Sequence, residues 1–154
     1  MKKAFKSVSF LLLLVIILSL LASCGSGKGG ITEVISLAES VKINGEAVDT
    51  VEARMGAFQG KQGDYIEFFF NEEITFDSFF INEKTTSVRQ FNIYVLENDK
   101  YKLVHTGKSI TIENIRFDES ISTTAVKLVI VNTEIGEEFI IQGVSAYDTS
   151  NVSE

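Results

Sequence analysis

The amino-acid sequence predicts an all-β fold, a sandwich or barrel of about eight short strands. Three observations indicate this fold class. Apolar and polar residues alternate over many short runs, turn-forming residues separate these runs, and no strong amphipathic helix pattern occurs. At 154 residues, the chain has room for one ordinary domain.

The clearest strand signal lies at residues 65–70, where Ile66, Phe68 and Phe70 share one face. The same alternation predicts strands at 91–95, 126–130 and 139–141, with shorter ones at 101–105, 110–112 and 115–117. Turn signals fall between them at 44–45, 60–63, 98–99, 106–107 and 135–136. Only residues 32–40 leave room for a short helix.

One hairpin can be predicted in detail, with residues 71–73 as its loop. Phe70 would then face Ile74, and Phe68 would face Phe76. Beyond this point the apolar residues change from even to odd positions, at Phe79. Because a one-residue slip turns every side chain to the other face, we expect a β-bulge near residues 77–78.

The first residues have the pattern of a signal peptide. Lys2, Lys3 and Lys6 precede an apolar run at 10–21, which is shorter than the roughly 20 residues that span a bilayer. The following Leu-Ala-Ser-Cys at 21–24 resembles the lipobox of bacterial lipoproteins. This resemblance implies cleavage after residue 23, a diacylglycerol on Cys24 and a Gly-rich tether to residue 30. We therefore expect a lipid-anchored protein on the extracytoplasmic side of a bacterial membrane, with a plain secretory peptide as the alternative.

The remaining chain resembles the discoidin-like domains, also called coagulation factor 5/8 C-type or galactose-binding-like domains. The similarity follows the order ARMGAFQG (53–60), DYIEF (64–68), ITFD (74–77), VRQFNI (88–93), TGKSI (106–110), AVKLVI (125–130) and IQGVSAY (141–147). It implies a jelly-roll β-sandwich over residues 31–148, followed by a tail at 149–154. It also implies a binding module, often for carbohydrate and sometimes for protein or phospholipid.

The sequence predicts no metal and no cofactor. Gly143 stands where many discoidin-like relatives have a calcium-binding glutamate, and Asp49 is left without the other ligands of that site. Calcium requires six to eight oxygen ligands. One cysteine and one histidine cannot complete a zinc site.

Charge and acid placement exclude further functions. The formal net charge of −7 argues against nucleic-acid binding, and removal of residues 1–23 with three lysines makes it −10. The carboxylate pairs at 72–73 and 137–138 lie in turn-like segments, whereas a glycosidase pair needs a cleft and a fixed separation. The sequence therefore predicts a protein that is not an enzyme.

Four side chains are candidate ligand contacts. Arg54 and Phe58 offer a forked donor and a ring four residues apart, close to three glycines. Their alternative roles are an ion pair, with Glu52 or Asp64, and a place in the core. Phe69 falls on the outer face of its strand, where a loop could instead cover it, and the alternative for His105 is a solvated position at a strand end.

Two functions remain open. The first is a membrane-anchored, non-catalytic module that binds carbohydrate. The alternative is a protein-interaction or structural lipoprotein that uses the same sandwich as a scaffold. The chain has no tryptophan. The rings that could stack on a sugar are Phe58, Tyr65, Phe69, Tyr94, Tyr101 and Tyr147.

Overall fold

The computed structural model describes residues 30–150, and this part of the chain is almost entirely β-structure. The elements in chain order are β1 (Thr32–Glu33), a 3-10 helix (Ile35–Leu37), β2 (Ser40–Ile43), β3 (Glu46–Val48), α1 (Val51–Arg54), β4 (Phe58–Gly60), β5 (Tyr65–Glu83), β6 (Val88–Glu97), β7 (Lys100–Gly107), β8 (Ile112–Thr133) and β9 (Phe139–Asp148). The predicted all-β fold is confirmed, and the helix left open at 32–40 is a single 3-10 turn.

Two long strands, β5 and β8, pair along most of their length and belong to both layers of an antiparallel β-sandwich. The front layer consists of β2, residues 65–69 of β5, residues 125–133 of β8, β6 and β7, with β3 paired to β2. The back layer consists of β9 with β1 and β4, residues 78–83 of β5 and residues 112–116 of β8. Strands that pass between two sheets do so at bulges or bends.

The core lies between these layers and contains the alternating apolar residues of the sequence. Ile66 and Phe68 of β5 are fully buried, and Phe70 is nearly so. The predicted inward faces of β6, β8 and β9 are buried in the same cluster, namely Phe91, Ile93, Val95, Val126, Leu128, Ile130, Phe139 and Ile141. Burial of such side chains contributes about 1.5–3 kcal/mol each.

The predicted hairpin at 71–73 is wrong. Residues on both sides of it pair with the distant strand β8, because Phe69 lies opposite Ala125 and Ile74 lies opposite Thr123. The polar residues 71–73 form an irregularity within β5 and not a loop. A short polar segment between apolar runs is compatible with either arrangement, and the pairing with β8 decides between them.

The bulge expected near residues 77–78 is confirmed. The β5–β8 register shifts between Phe76 and Ser78, and Phe76 and Phe79 are both completely buried. The extra residue restores the inward direction of the apolar side chains after the change of parity.

Two of the predicted turns have the backbone that a tight hairpin requires. Asn44 and Gly45 both have positive φ between β2 and β3, as do Asn98 and Asp99 between β6 and β7. Such turns match the right-handed twist of the strands they connect.

Candidate functional site

Three tyrosines meet on the outer face of the front layer. The register places Glu67 opposite Lys127 and Lys127 opposite Tyr94, while Tyr101 of β7 lies opposite Leu96 of β6. Together these strands form a hollow of about 300 Å³. We call it the tyrosine hollow, and its lining residues are Tyr65, Tyr94, Tyr101, Lys127 and Val129.

Lys127 is held by a carboxylate and by aromatic rings. Its Nζ lies 3.3 Å from Glu67 Oε1, and the two side chains are 20% and 10% exposed. The same Nζ lies 3.7 Å from the ring centroid of Tyr65 and 5.1 Å from that of Tyr101. A largely buried ammonium needs such contacts to offset its lost hydration. Because Glu67 balances its charge, the tyrosine hollow has little net charge.

Tyr101 has the most perturbed hydroxyl of this face. Its Oη is buried and has no hydrogen-bond partner among residues 30–150. Burial raises the pKa of Tyr101 above its ordinary value, and the nearby Glu67 carboxylate raises it further. The hydroxyl therefore stays protonated at neutral pH, and the ring presents an uncharged surface.

A chain of polar side chains orients Tyr94. Asn92 Nδ2 donates to Tyr94 Oη at 3.0 Å, and Thr106 Oγ1 donates to Asn92 Oδ1 at 2.8 Å. Tyr94 Oη only accepts in these hydrogen bonds, so its own proton can be donated to a ligand. The rim of the hollow thus carries a positioned hydroxyl group beside an aromatic ring, which is the mixed polar and apolar lining that small-molecule sites use.

Arg54 and Phe58 lie apart from this hollow and do not form a shared site. Arg54 Nη2 is 2.8 Å from Asp49 Oδ1 in an exposed ion pair, and not beside Glu52 or Asp64. Phe58 is 6% exposed, and its ring packs edge-to-face on Phe139 with centroids 5.0 Å apart. The ring of Phe58 therefore belongs to the core, which is the alternative to ligand contact that the sequence left open for it.

Phe69 and His105 occupy opposite sides of the front layer. Phe69 is half-buried on the outer face, and Lys42 Nζ lies 5.0 Å from its ring centroid. His105 is turned inward between Phe91 and Phe117, with centroid distances of 5.9 and 6.5 Å. Burial lowers the pKa of His105, and Glu113 opposes this effect. Neither side chain lines the tyrosine hollow.

Cys24, the predicted lipid attachment point, lies outside the described residues. Within residues 30–150, no helix is long and apolar enough to cross a bilayer. In the same part of the chain, no three His, Cys, Asp or Glu side chains lie close enough together to hold a metal ion.

In the sequence, these three tyrosines are only part of a set of six rings that could stack on a sugar. Tyr65, Tyr94 and Tyr101 come from three different strands, and nothing in their spacing indicates that they meet. The period-two alternation does place Tyr65 and Tyr94 on outward faces. This outward position is the one sequence feature that points to an exposed aromatic surface.

Comparison with known proteins identifies the fold. No protein-family model matches the sequence, and no curated protein matches it. Among solved structures, the family 32 carbohydrate-binding module of C. perfringens NanJ, in complex with galactose, matches with a TM-score of 0.62. The identity is 12%, and the match covers 77% of this chain and all of that module. The fold is that of a family 32 carbohydrate-binding module.

Two further modules have the same fold. The family 32 module of Streptococcus pneumoniae EndoD has a TM-score of 0.63 at 12% identity, covering 77% of this chain and 100% of that one. The chitosan-binding module 1 of a chitosanase/glucanase from Paenibacillus sp. IK-5 has a TM-score of 0.59 at 11% identity, covering 74% and 98%. The resemblance to galactose-binding-like domains is thereby confirmed for the fold.

Proposed function

We propose that this protein is a membrane-anchored, non-catalytic module that binds a neutral carbohydrate in the tyrosine hollow. The observation that carries the proposal is the meeting of three tyrosine rings beside a charge-balanced lysine in a hollow of about 300 Å³. This volume lies at the lower end of the range for ligand pockets, about 300–1,000 Å³. It suits one sugar ring, whose C–H face would lie against a tyrosine.

The lining also supports a binding role without catalysis. None of the five lining residues carries a carboxylate. Glycoside hydrolysis typically requires two carboxyl groups on either side of the scissile bond. Galactose in the NanJ module and chitosan as the named ligand of the Paenibacillus module support sugar as the ligand class.

The binding test is a glycan array probed with the full chain in detergent. We expect neutral glycans to bind and Tyr94→Ala to weaken binding by more than about tenfold, since one central ring at a binding site is worth about 2 kcal/mol or more. Met55→Ala is the control, because it removes an exposed apolar side chain outside the hollow. Both variants should keep the wild-type melting temperature to within a few degrees.

Two results would refute carbohydrate binding at this site. If the wild-type protein binds no glycan, the alternative function, a protein-interaction or structural lipoprotein, becomes the better hypothesis. Glycan binding that survives Tyr94→Ala unchanged would move the ligand to another surface.

The anchor is tested separately. We propose that Cys24 carries a lipid that holds the domain on the extracytoplasmic side of a bacterial membrane, and Cys24→Ala should release the protein from membranes or leave it unprocessed. Radioactive palmitate supplied to the cells should label the wild-type protein but not the variant. An unlabelled wild type would exclude the lipid anchor.

A further inference from the structure

A second hollow lies on the outer face of the back layer. The register places Phe80 of β5 opposite Asn114 of β8, and Ser78 opposite both Arg116 of β8 and Tyr147 of β9. The hollow has a volume of about 480 Å³. We call it the arginine hollow, after Arg116. Its other lining residues are Ile31, Ser78, Phe80, Asn114, Tyr147 and Thr149.

Arg116 differs from the other two arginines of the chain. Arg54 is paired with Asp49 and Arg89 with Glu134, both at 2.8 Å. Arg116 is exposed, and no carboxylate of residues 30–150 lies within ion-pair distance of it. A free guanidinium is a forked donor that matches the two oxygens of a carboxylate.

Two acids next to this hollow accept hydrogen bonds from other residues. Asp77 accepts hydrogen bonds from Thr149 and Ser78, and Asp148 accepts from the backbone and hydroxyl of Ser150. Asp118 and Glu113 flank Arg116 along β8 without an ion pair to it. Among residues 30–150, no acid therefore competes with a ligand for the guanidinium.

The neighbours of Arg116 narrow the class of ligand. Phe80 and Tyr147 are half-buried rings, and Asn114 is an exposed amide that can bond to hydroxyl groups. Rings, amide and guanidinium together match a pyranose that carries a carboxylate. A polyanion fits poorly, because acidic residues outnumber basic ones by 21 to 14 in this chain.

We propose that the arginine hollow binds an acidic sugar, with the carboxylate on Arg116 and the ring against Phe80 or Tyr147. This site goes beyond the neutral-sugar site of the proposed function, since it lies on the other layer. The two hollows differ in charge, because Lys127 of the tyrosine hollow is already paired with Glu67 at 3.3 Å.

The test compares acidic sugars with neutral counterparts. The full chain in detergent would be titrated in a calorimeter with methyl galacturonoside, its neutral methyl ester and methyl galactoside. Glucuronate and N-acetylneuraminate serve as further acids. We expect an acid to bind at least about tenfold more tightly than its neutral counterpart, as a charge-assisted pair allows. Arg116→Gln should remove this preference, whereas Arg89→Gln should keep it.

Three results would overturn the proposal: no binding of any of the three acids by the wild type, equal affinity for acid and ester, or an acid preference that survives Arg116→Gln. Tyr94→Ala separates the two sites. If it removes acid binding, the acid occupies the tyrosine hollow. If wild-type protein binds acids but no neutral glycan, the proposed function fails while the arginine hollow stands.

Discussion

Glu83 is a buried carboxylate whose removal should strongly destabilise the fold. It is 3% exposed at the end of β5, where the chain leaves the back layer for β6 of the front layer. Its Oε1 accepts from the backbone N–H of Ser87 at 2.7 Å and from that of Val88 at 3.2 Å. The hydroxyl of Thr85 also donates to it, at 2.6 Å. The Glu83 carboxylate thus holds three residues of the crossing segment, Thr85, Ser87 and Val88, by hydrogen bonds.

The expected magnitude follows from these bonds. Glu83→Ala leaves two buried backbone N–H groups without an acceptor, and each unsatisfied group costs about 1–3 kcal/mol. We therefore expect a loss of about 3–5 kcal/mol in the free energy of unfolding, a large part of the roughly 5–15 kcal/mol of a typical domain. Glu83→Gln keeps one acceptor oxygen and should lose less than Glu83→Ala.

Urea unfolding followed by far-UV circular dichroism measures this change. Glu137→Ala is the control, because Glu137 is exposed in the loop before β9, and such surface changes stay within about 0.5 kcal/mol. A loss below about 1 kcal/mol for Glu83→Ala would show that water or a shifted loop satisfies the two N–H groups. The Glu83 carboxylate would then not be required to stabilise this loop.

Three further predictions follow from particular side chains. Phe58→Ala should destabilise the fold by about 3–5 kcal/mol as a core truncation, while Arg54→Ala should stay within about 1 kcal/mol as an exposed ion pair; equal melting temperatures for the two would contradict this assignment. Burial lowers the pKa of His105 below its unfolded value, so the unfolded chain binds more protons as the pH falls through that value and stability is lost. The melting temperature of wild type minus that of His105→Gln should therefore be larger at neutral than at mildly acidic pH, and a constant difference would count against it. Melts with excess calcium and with chelator should coincide, because Gly143 and Asp49 do not supply the oxygen ligands that calcium requires; a rise of several degrees would show ligands elsewhere.

The candidate sites depended on contacts that local sequence does not encode. Tyr65, Tyr94 and Tyr101 meet because β8 pairs with both β5 and β6, and β6 pairs with β7. A one-residue change of register would separate them. The unpaired guanidinium of Arg116 also depends on tertiary contacts, since it requires that the nearby acids of residues 30–150 lie beyond ion-pair distance. Arg54 and Phe58 are only four residues apart in sequence, but the ring of Phe58 is buried in the core and Arg54 is exposed.

Local sequence patterns are enough to predict the all-β class, the inward faces such as that of Ile66 and Phe68, the Asn44-Gly45 turn and the bulge near Ser78. These features follow from alternation and backbone preference, which act over a few residues. Local patterns do not predict that residues 71–73 lie within a long strand, or that two differently charged hollows form on opposite layers. Pairing between distant strands decides such features, because each pairing is fixed by the packing of the whole core and not by the segment itself.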